Sequence, residues 1–412
     1  MPKSIKLALL SFSVLVVLAV FLGVNARSVS AAGSDAQQGA YKQIDVYGEV
    51  LQHIQTDYVE DPNMSTVTGG ALRGLLESLD ADSSYLSPAD YKAYKADRGG
   101  KAQVGINISK RAGYAVVVSV VPGSPADKSN ISDGDFIEAI GAQDTRDLPL
   151  AMIQHLLEGA PGSQLTLAVV RPSKAAPDKV ILSRIMVSEP PVNDVAYENG
   201  SILDLQPEII DREHVNQIEA KLKAAAKSGT EKKVILDLRD VAAGDMEEGI
   251  RLANLFLKSG TIATLQGQRV SKQTFTADAS KAIDPTTSMV VLVNRGTAGP
   301  AELAAGAIED NKRGQVVGEK TFGEGAQQKT FDLPDGGAVI LSIAKYASPA
   351  GKPFESEGIT PDVLVASNFE QLGADDGTDA SAAHTGNTPK KSSVQTDDQL
   401  NKALEILKGK AA

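Results

Sequence analysis

The stretch RGTAGPAELAAGAIEDNKRGQVVGEKTFGEG, residues 295–325, decides the fold of this chain. It follows the apolar run SMVVLVN and reads as a strand exit, a helix over PAELAAGAIED, a strand over QVVGE and a glycine-flanked loop. Strand-helix alternation of this kind makes a mainly parallel sheet. Ligands and catalytic groups gather at the carboxyl ends of such strands, yet this stretch holds no serine, cysteine or histidine.

The helix in this stretch has a good start and a small-residue face. Gly299 is a flexible cap, and Pro300 stands at the first helical position, which needs no N–H donor. Small residues follow, so we expect close packing on the sheet. The neighbouring sequence extends the pattern, with the strand KVILDLR, a helix from about Met246 to Leu257 and the loop DLRDVAAGD at a strand end. These elements predict an α/β core over residues 187–372.

Residues 99–186 have a different sequence pattern. Short β runs such as VGINI, YAVVVSVV and QLTLAVVR alternate with turns, and one helix lies in DLPLAMIQHLLEGAPG. The segment VVPGSPADKSNISDGDFIEAIGAQD resembles the part of a PDZ domain that follows its ligand groove. QVGINI stands where such a domain keeps its carboxylate-binding loop. We therefore predict a PDZ β-barrel here.

Four consecutive residues are the predicted peptide site of this PDZ domain: Gly105, Ile106, Asn107 and Ile108. Gly105 lets backbone N–H groups face an anion, and the two isoleucines suit the last apolar side chain of a ligand. Binding of a C-terminal peptide by β-addition is the expected function. Such a loop does not imply cleavage.

Residues 40–98 predict a helical module. GALRGLLESLD places leucines at helical spacing, and LSPADYKAY gives a helix start with Ser87 as cap and Pro88 next. Residues 373–412 are polar and low in apolar residues, which indicates a disordered tail. A short amphipathic helix ends this tail. The predicted fold class is multidomain, with a helical module, a PDZ β-barrel and an α/β core with a mainly parallel sheet.

The first 32 residues read as an export signal. Lys3 and Lys6 precede an apolar run from Leu7 to Val24, and a small-residue cleavage site follows. Because the run is long for a signal core, an uncleaved membrane anchor stays open as an alternative. Either case predicts an extracytoplasmic protein of the periplasm or cell envelope.

Composition excludes several classes of site. The chain has no cysteine, and its histidines are scattered, at positions 53, 155, 214 and 384. This argues against a metal site, and no motif indicates another cofactor. The net charge of -11 argues against nucleic acid as a partner.

Taken together, these segments resemble the carboxyl-terminal processing (tail-specific) serine proteases over nearly the whole chain. SLDADSSYLSPADYKAY is similar to the segment before the PDZ domain of that family, and VGEKTFGEGAQQ to its G-x-x-TFGKG-x-x-Q loop. AKYASPAGKPFESEGITPDV is similar to its A-x-Y-x-TPSG…GI-PD turn. The resemblance implies a Ser/Lys dyad, with the serine in an S-A-S-E stretch and the lysine in TFGKG.

This chain departs from the family at both dyad positions. Aligned on Glu302, the nucleophile position is Gly299, and TFGEG places Glu324 at the base position. Gln328 matches a glutamine that supports the lysine. Glycine offers no nucleophile, and glutamate reverses the charge of the base. In addition, the N-x-GG segment of the family reads VAAG from Val241 to Gly244, where alanine at a position that needs positive φ is strained.

Two substitutes for the dyad stay open. In the first, Thr297 is a displaced nucleophile and Lys320 is its base. The alternative without function is that the Thr297 hydroxyl bonds locally and Lys320 is a solvated loop residue. Glu324 pairs with Glu302 or Asp310 as a two-carboxylate site in the second. His214, on a polar helical stretch, is predicted to be a surface residue.

The sequence therefore predicts an exported homologue of these peptidases that binds the C-termini of exported proteins and has lost proteolysis. An active protease paralogue, joined through a common oligomer, is a further predicted partner. The rival prediction is an active serine-type or threonine-type endopeptidase of the cell envelope that uses Thr297 and Lys320.

Overall fold

The computed structural model describes residues 42–96, 100–171, 176–228, 233–283, 287–367 and 397–409. The predicted signal or anchor of residues 1–32 lies outside them, and so does the predicted tail up to residue 396. The chain divides into two units, Met1–Ala71 and Leu72–Ala412. Along the described parts, no helix is both long and apolar enough to cross a bilayer.

The N-terminal elements are helical, as the periodicity predicts. Helix α1 covers residues 42–57, and α2 covers Met64–Glu77. Leu76 is buried, whereas Leu75 and Leu79 are exposed. The leucine stripe is therefore only partly buried within the chain.

A short strand and a capped helix follow. Strand β1 is Ser84–Leu86 and helix α3 is Pro88–Lys95. The Ser87 hydroxyl accepts a hydrogen bond from the Asp90 N–H at 3.2 Å, and proline occupies the first helical position. The predicted cap is confirmed, and it satisfies an N–H group that the first turn leaves without a partner.

Six strands between residues 106 and 183 form an antiparallel sheet. Its strands are β2 (Ile106–Arg111), β3 (Tyr114–Val120), β4 (Phe136–Ile140), β5 (Gln143–Asp144), β6 (Gln164–Val170) and β7 (Asp178–Ser183). The order is β2-β3-β4-β6-β7, with β5 on β4, so β2 is an edge strand. Along β6, Leu165, Leu167 and Val169 alternate into the core, where helix α4 (Leu150–Leu157) packs.

The second sheet is mainly parallel. Its strands are β8 (Asn193–Tyr197), β9 (Ile202–Gln206), β10 (Lys233–Asp237), β13 (Ser288–Val293), β14 (Gln315–Gly318) and β17 (Val363–Leu364). Strands β11 (Thr261–Gln266) and β12 (Gln273–Thr276), which lie between β10 and β13 in sequence, belong to a separate sheet. The order is β17-β14-β13-β10-β9-β8, and only β8 runs antiparallel to its neighbour. The predicted α/β sheet is confirmed.

Helices cover both faces of this parallel sheet. Helices α5 (Arg212–Ser228), α6 (Met246–Phe256) and α7 (Pro300–Asp310) follow its strands, and α8 (Asp398–Gly409) ends the described chain. In β13, Met289 and Val291 belong to the cluster with α6 and α7, whereas Val290 and Leu292 pack with Leu407 of α8. This explains why SMVVLV reads as a continuous apolar run: both of its faces are buried.

A third, antiparallel sheet joins distant segments. Strands β15 (Ala326–Asp332) and β16 (Ala338–Ala347) form a hairpin, and β16 also pairs with β1 and β11. The loop before β15 is the TFGEG segment. The hairpin therefore brings the segment before α3 beside that loop.

Candidate functional site

The turn between β13 and α7 is tightly held. Thr297 is fully buried, and its hydroxyl donates to the Leu238 carbonyl at 2.8 Å and accepts from the Asn294 N–H at 3.0 Å. Asn294 also exchanges hydrogen bonds with Asp240, at 2.8 and 2.9 Å. Since Leu238 and Asp240 follow β10, these bonds join the carboxyl ends of two neighbouring parallel strands.

Gly299 ends this turn in a conformation that favours glycine. Its φ is 56° and its ψ is -118°, and it is the N-cap of α7, with Pro300 next. A Cβ atom added at Gly299 meets no atom within 4 Å. A sharp, strained strand-to-helix turn with open space at its tip is also how a nucleophilic serine is presented in the α/β-hydrolase elbow. The position suits a nucleophile, but the residue there has no side chain.

Glu302, one turn into α7, fixes the loop that follows β14. Its side chain is fully buried. One carboxyl oxygen accepts from the Thr321 hydroxyl and from the Gly323 N–H, the latter at 2.8 Å. The other oxygen accepts from the N–H groups of Glu324, at 2.8 Å, and Gly299, at 3.1 Å. Burial raises the pKa of Glu302 to about 7, although these hydrogen bonds oppose the rise.

Glu302 thereby brings the two predicted dyad positions together. The amide nitrogens of Gly299 and Glu324 both bond to its Oε2, so they are no further apart than those two bonds laid end to end, 3.1 and 2.8 Å. The residues are 25 positions apart in sequence and meet at the carboxyl edge of the parallel sheet.

Glu324 has an unusual side-chain environment. Within the described residues, its carboxyl group has no hydrogen bond and no ion pair. Burial raises its pKa to about 8, and the negative charges of Asp82, Glu302 and Glu355 add to the rise. The group is therefore mostly protonated at neutral pH, the state in which a carboxyl group cannot accept a proton from a nucleophile.

Two further acids lie beside Glu324. Burial raises the pKa of Asp82 to about 7, and the charges of Glu355 and Asp80 contribute. Glu355 is buried, its pKa is raised by burial, and its Oε2 accepts from the Gly325 N–H at 3.0 Å. Neither Asp82 nor Glu355 is predicted at the site from the sequence, although both belong to the segments that resemble the family.

Gln328 lies near this group of acids but bonds to backbone. It is exposed on β15, and its Nε2 donates to the Asp82 carbonyl at 2.6 Å. The contact holds the Asp82 segment against the hairpin. Gln328 is thus positioned to order one wall of the site.

A cleft of about 650 Å³ opens above these residues. Its walls are Ser109–Arg111 and Val116–Val118 of the antiparallel sheet on one side, and Lys320–Glu324 with Asp82 and Glu355 on the other. The Arg111 guanidinium lies 4.4 Å from the Phe322 ring centre and donates to the Phe322 carbonyl at 3.1 Å. The edge strand β2 therefore ends in contact with the loop that carries Glu324.

The predicted peptide-binding residues lie at the other end of β2. Gly105 has φ of 81°, and a Cβ atom there would lie 2.2 Å from the Ser124 Cβ, so only glycine fits. Ile106 and Ile108 are buried in the core, while the Asn107 amide donates to the Ser119 hydroxyl at 2.8 Å. Among the described strands, β2 pairs only with β3, which leaves its other edge without a strand partner.

The contacts in the structure argue against both substitute sites. The Thr297 hydroxyl is committed to Leu238, and Lys320 is exposed at the cleft wall. Asp310 lies eight residues from Glu302 along α7, about 12 Å, and accepts from the Ala350 N–H. Glu302 does lie beside Glu324, but its oxygens are already occupied by donors. The pairing of Glu324 with Asp310 is wrong because Glu324 lies in the loop held to the start of α7, whereas Asp310 is the last residue of that helix.

Two expectations from the sequence are wrong. Ala243 does not have positive φ, and its carbonyl accepts from the Ile210 N–H at 3.0 Å, so alanine is not strained there. Only Gly244 of that pair needs glycine, with φ of 132°. His214 is buried, not on the surface, because the backbone at Pro190 covers its ring, which bonds to that carbonyl and to Asp211. In the described part of the chain, no three acidic or histidine side chains are arranged to hold a metal ion.

Comparisons with known proteins agree with this architecture. The model of Peptidase family S41 matches residues 210–365, and that of the PDZ domain matches residues 94–170. A carboxyl-terminal-processing protease of a Picosynechococcus species is 32% identical over 307 residues, which cover 72% of each chain. A carboxy-terminal-processing protease of Bartonella bacilliformis is 28% identical over 428 residues, covering 96% of this chain and 94% of the relative.

A solved structure is similar as well. The photosystem II D1 C-terminal processing protease superimposes with a TM-score of 0.64 at 26% identity, over 78% of this chain and 86% of that one.

Proposed function

Because this chain belongs to the carboxyl-terminal-processing proteases of Peptidase family S41, with a PDZ domain, we propose that it is a member that binds peptide C-termini without cleaving them. The observation that carries the proposal is the pair of residues at the Glu302 carboxylate. Gly299, at the strained turn, has no side chain, and Glu324, in the half-buried position beside it, carries an acid. The site keeps the shape for a nucleophile and a base without either group.

The protonation state of Glu324 also supports the absence of cleavage. A serine-lysine dyad needs a base that is free of its proton near neutral pH. Glu324 holds its proton up to a pH of about 8, because burial and the neighbouring acids Asp82, Glu302 and Glu355 disfavour its charge. The acyl transfer of the family therefore has no proton acceptor at this position.

Peptide binding rests on the edge strand β2. A C-terminal peptide would add to its free edge, with the backbone at Gly105 receiving the carboxylate and the region of Ile106 and Ile108 receiving the last apolar side chain. Exported proteins with apolar C-termini are the proposed ligands. Since Arg111 at the end of β2 contacts Phe322, a bound peptide would continue toward the cleft.

Restoring the dyad tests the proposal directly. The purified protein and the variants Gly299→Ser, Glu324→Lys and Gly299→Ser/Glu324→Lys are incubated with an unfolded protein that ends in apolar residues. Because burial lowers the pKa of an added lysine and the nearby acids raise it, the assay runs from pH 7 to 10. We expect cleavage by the double variant alone. Inactivity of all four proteins would contradict the assignment of these two positions.

The rival function is separated by the same assay. If Thr297 and Lys320 form a displaced dyad, the unaltered protein cleaves the substrate and Thr297→Ala abolishes cleavage. That result would overturn the proposal. The committed hydroxyl of Thr297 argues against it.

Ligand binding is tested with a fluorescent peptide ending in Ala-Ala-Val and the same peptide amidated at its C-terminus. We expect the free carboxylate to bind at least about tenfold more tightly, because the nest at Gly105 recognises charge. Equal affinity for both peptides would remove the PDZ function.

Export and assembly complete the proposal. Residues 1–32 would direct the chain to the periplasm or cell envelope, either as a cleaved signal or as an anchor, and mass measurement of the native protein distinguishes the two. An active protease paralogue in a shared oligomer is the proposed regulatory partner. Purification of tagged protein from its own cell envelope, with no protease or client recovered, would exclude that role.

A further inference from the structure

The connection between the PDZ sheet and the α/β core is held by two side chains of one helix. This connector, defined as residues 184–192, runs from the end of β7 to the start of β8. Its Pro190 carbonyl lies 2.9 Å from Nε2 of His214, and its Val192 N–H donates to the Gln217 side chain at 2.8 Å. Both partners belong to the first turns of α5, so the connector is fastened to the core.

The His214 ring stands between two acceptors. Nδ1 lies 2.7 Å from Asp211 Oδ1, and Nε2 faces the Pro190 carbonyl, which accepts only. A neutral imidazole has one N–H group, whereas the imidazolium has two. Both bonds are therefore made only by the protonated ring, and because His214 is buried, water does not readily replace a lost bond.

The charged groups around the ring are acids from three elements. Asp211 and Glu213 belong to the start of α5, Glu189 to the connector, and Glu208 to the loop after β9. Glu189 has a buried carboxyl oxygen without a hydrogen-bond partner. Burial opposes the charge on His214, but the bonds to Asp211 and Pro190 and the nearby acids outweigh it, so the pKa of His214 is raised.

We propose that His214 is a pH-dependent latch, which fastens the connector to α5 when its ring is protonated and releases it when the ring is neutral. On release one of the two bonds is lost, and a lone pair of Nδ1 or Nε2 then faces an acceptor. The PDZ sheet forms one wall of the cleft, and the loop with Glu324 forms the other. A loosened connector therefore gives the PDZ domain more freedom over the cleft, which couples ligand access to pH.

The direction follows from linkage. A histidine whose folded pKa is raised stabilises the folded arrangement below its ordinary pKa, and that contribution disappears as the pH rises through the folded value. The connector is thus fastened in acid and loosened in base. This regulation goes beyond the proposed peptide binding and does not depend on whether the chain cleaves peptides.

The protonation state is measured on the full chain by ¹⁵N NMR of labelled histidine. His214→Asn assigns its signals among the four histidines, and His53→Asn, at an exposed position on α1, is the matched control. We expect two protonated ring nitrogens at pH 6 and a titration midpoint above the ordinary value of 6.5. A ring that is already neutral at pH 6 would overturn the latch.

Hydrogen exchange then reads the connector itself. Protection of the Val192 amide, corrected for intrinsic exchange, is expected to fall about tenfold as the pH passes the His214 midpoint, as loss of one buried hydrogen bond implies. Asp211→Asn keeps a helix cap but removes the charge, so the fall should move to lower pH. The same fall in His214→Asn, or an unmoved midpoint in Asp211→Asn, would contradict the proposal.

Discussion

The loop Thr321–Gly325 has two sides, and the carboxyl groups on them differ in their hydrogen bonding. On the helix side, Glu302 accepts four hydrogen bonds and fastens the loop to α7. On the cleft side, Glu324 has no partner among the described residues and lies near Asp82 and Glu355. The first acid organises the fold, whereas the second bonds to no other group and is costly to ionise.

This difference shows which part of the site is still required by the fold. Loss of Glu302 would leave buried N–H groups without acceptors, which lowers the free energy of unfolding. The side chain at position 324 satisfies no other group, so substitution there costs the structure little. The framework of this loop therefore depends on Glu302 and not on the side chain at position 324.

The helix side is expected to give the largest effect. Glu302→Ala removes the acceptor of the Gly299, Gly323 and Glu324 amides and of the Thr321 hydroxyl, and should lower the free energy of unfolding by about 4 kcal/mol. Urea denaturation measures the change. Glu357→Ala, at an exposed position two residues beyond Glu355, is the control and should change stability little. Equal losses in both variants would remove the distinction between the two sides of the loop.

On the cleft side, substitution of Glu324 is expected to raise the free energy of unfolding, by less than substitution of Glu302 lowers it. The folded pKa of Glu324 is about 8, above its ordinary value of 4.5, so the folded state binds the extra proton between these pH values. The free energy of unfolding therefore falls as the pH rises through that range. Glu324→Gln imitates the protonated acid and should be more stable than the unaltered protein by about 2 kcal/mol at pH 9.

Denaturation at pH 5, 7 and 9 measures this difference, which should be near zero at pH 5 and grow toward pH 9. Glu357→Gln is the matched control, since that side chain is exposed. A constant difference across the three pH values would mean that Glu324 is ionised without cost. The carboxyl group on the cleft side would then not destabilise the folded protein, and the contrast with Glu302 would be lost.

The part of the site that depends on local pattern could be predicted from the sequence. Helix α7, strands β13 and β14 and the cap at Ser87 follow from periodicity and capping residues close in the chain. The nearness of Gly299 and Glu324 follows from the family resemblance, and the physical link, Glu302, lies between them in sequence. The family and the fold class were predicted correctly for these reasons.

The parts that depend on distant segments could not be predicted in this way. Asp82 reaches Glu324 only because β1 pairs with β16, more than 200 residues away in the chain. His214 lies on a polar helix, and its burial results from the connector that crosses it at Pro190. Backbone conformation at Ala243 depends on a contact with Ile210, which no local rule for glycine describes.

The smallest predicted effect concerns Gly299, whose N–H group bonds to the same Glu302 oxygen as the Glu324 N–H group. A Cβ atom there has open space, so Gly299→Ala should cost only the strain of a backbone with φ of 56° and ψ of -118°, about 1 to 2 kcal/mol. Gly244→Ala is the contrast, because its Cβ would lie 2.2 Å from the Ile210 carbonyl oxygen and should cost several times more. Thermal denaturation of both variants tests this. A large loss at Gly299 would mean that glycine is there for the fold, and its presence would no longer indicate a lost nucleophile.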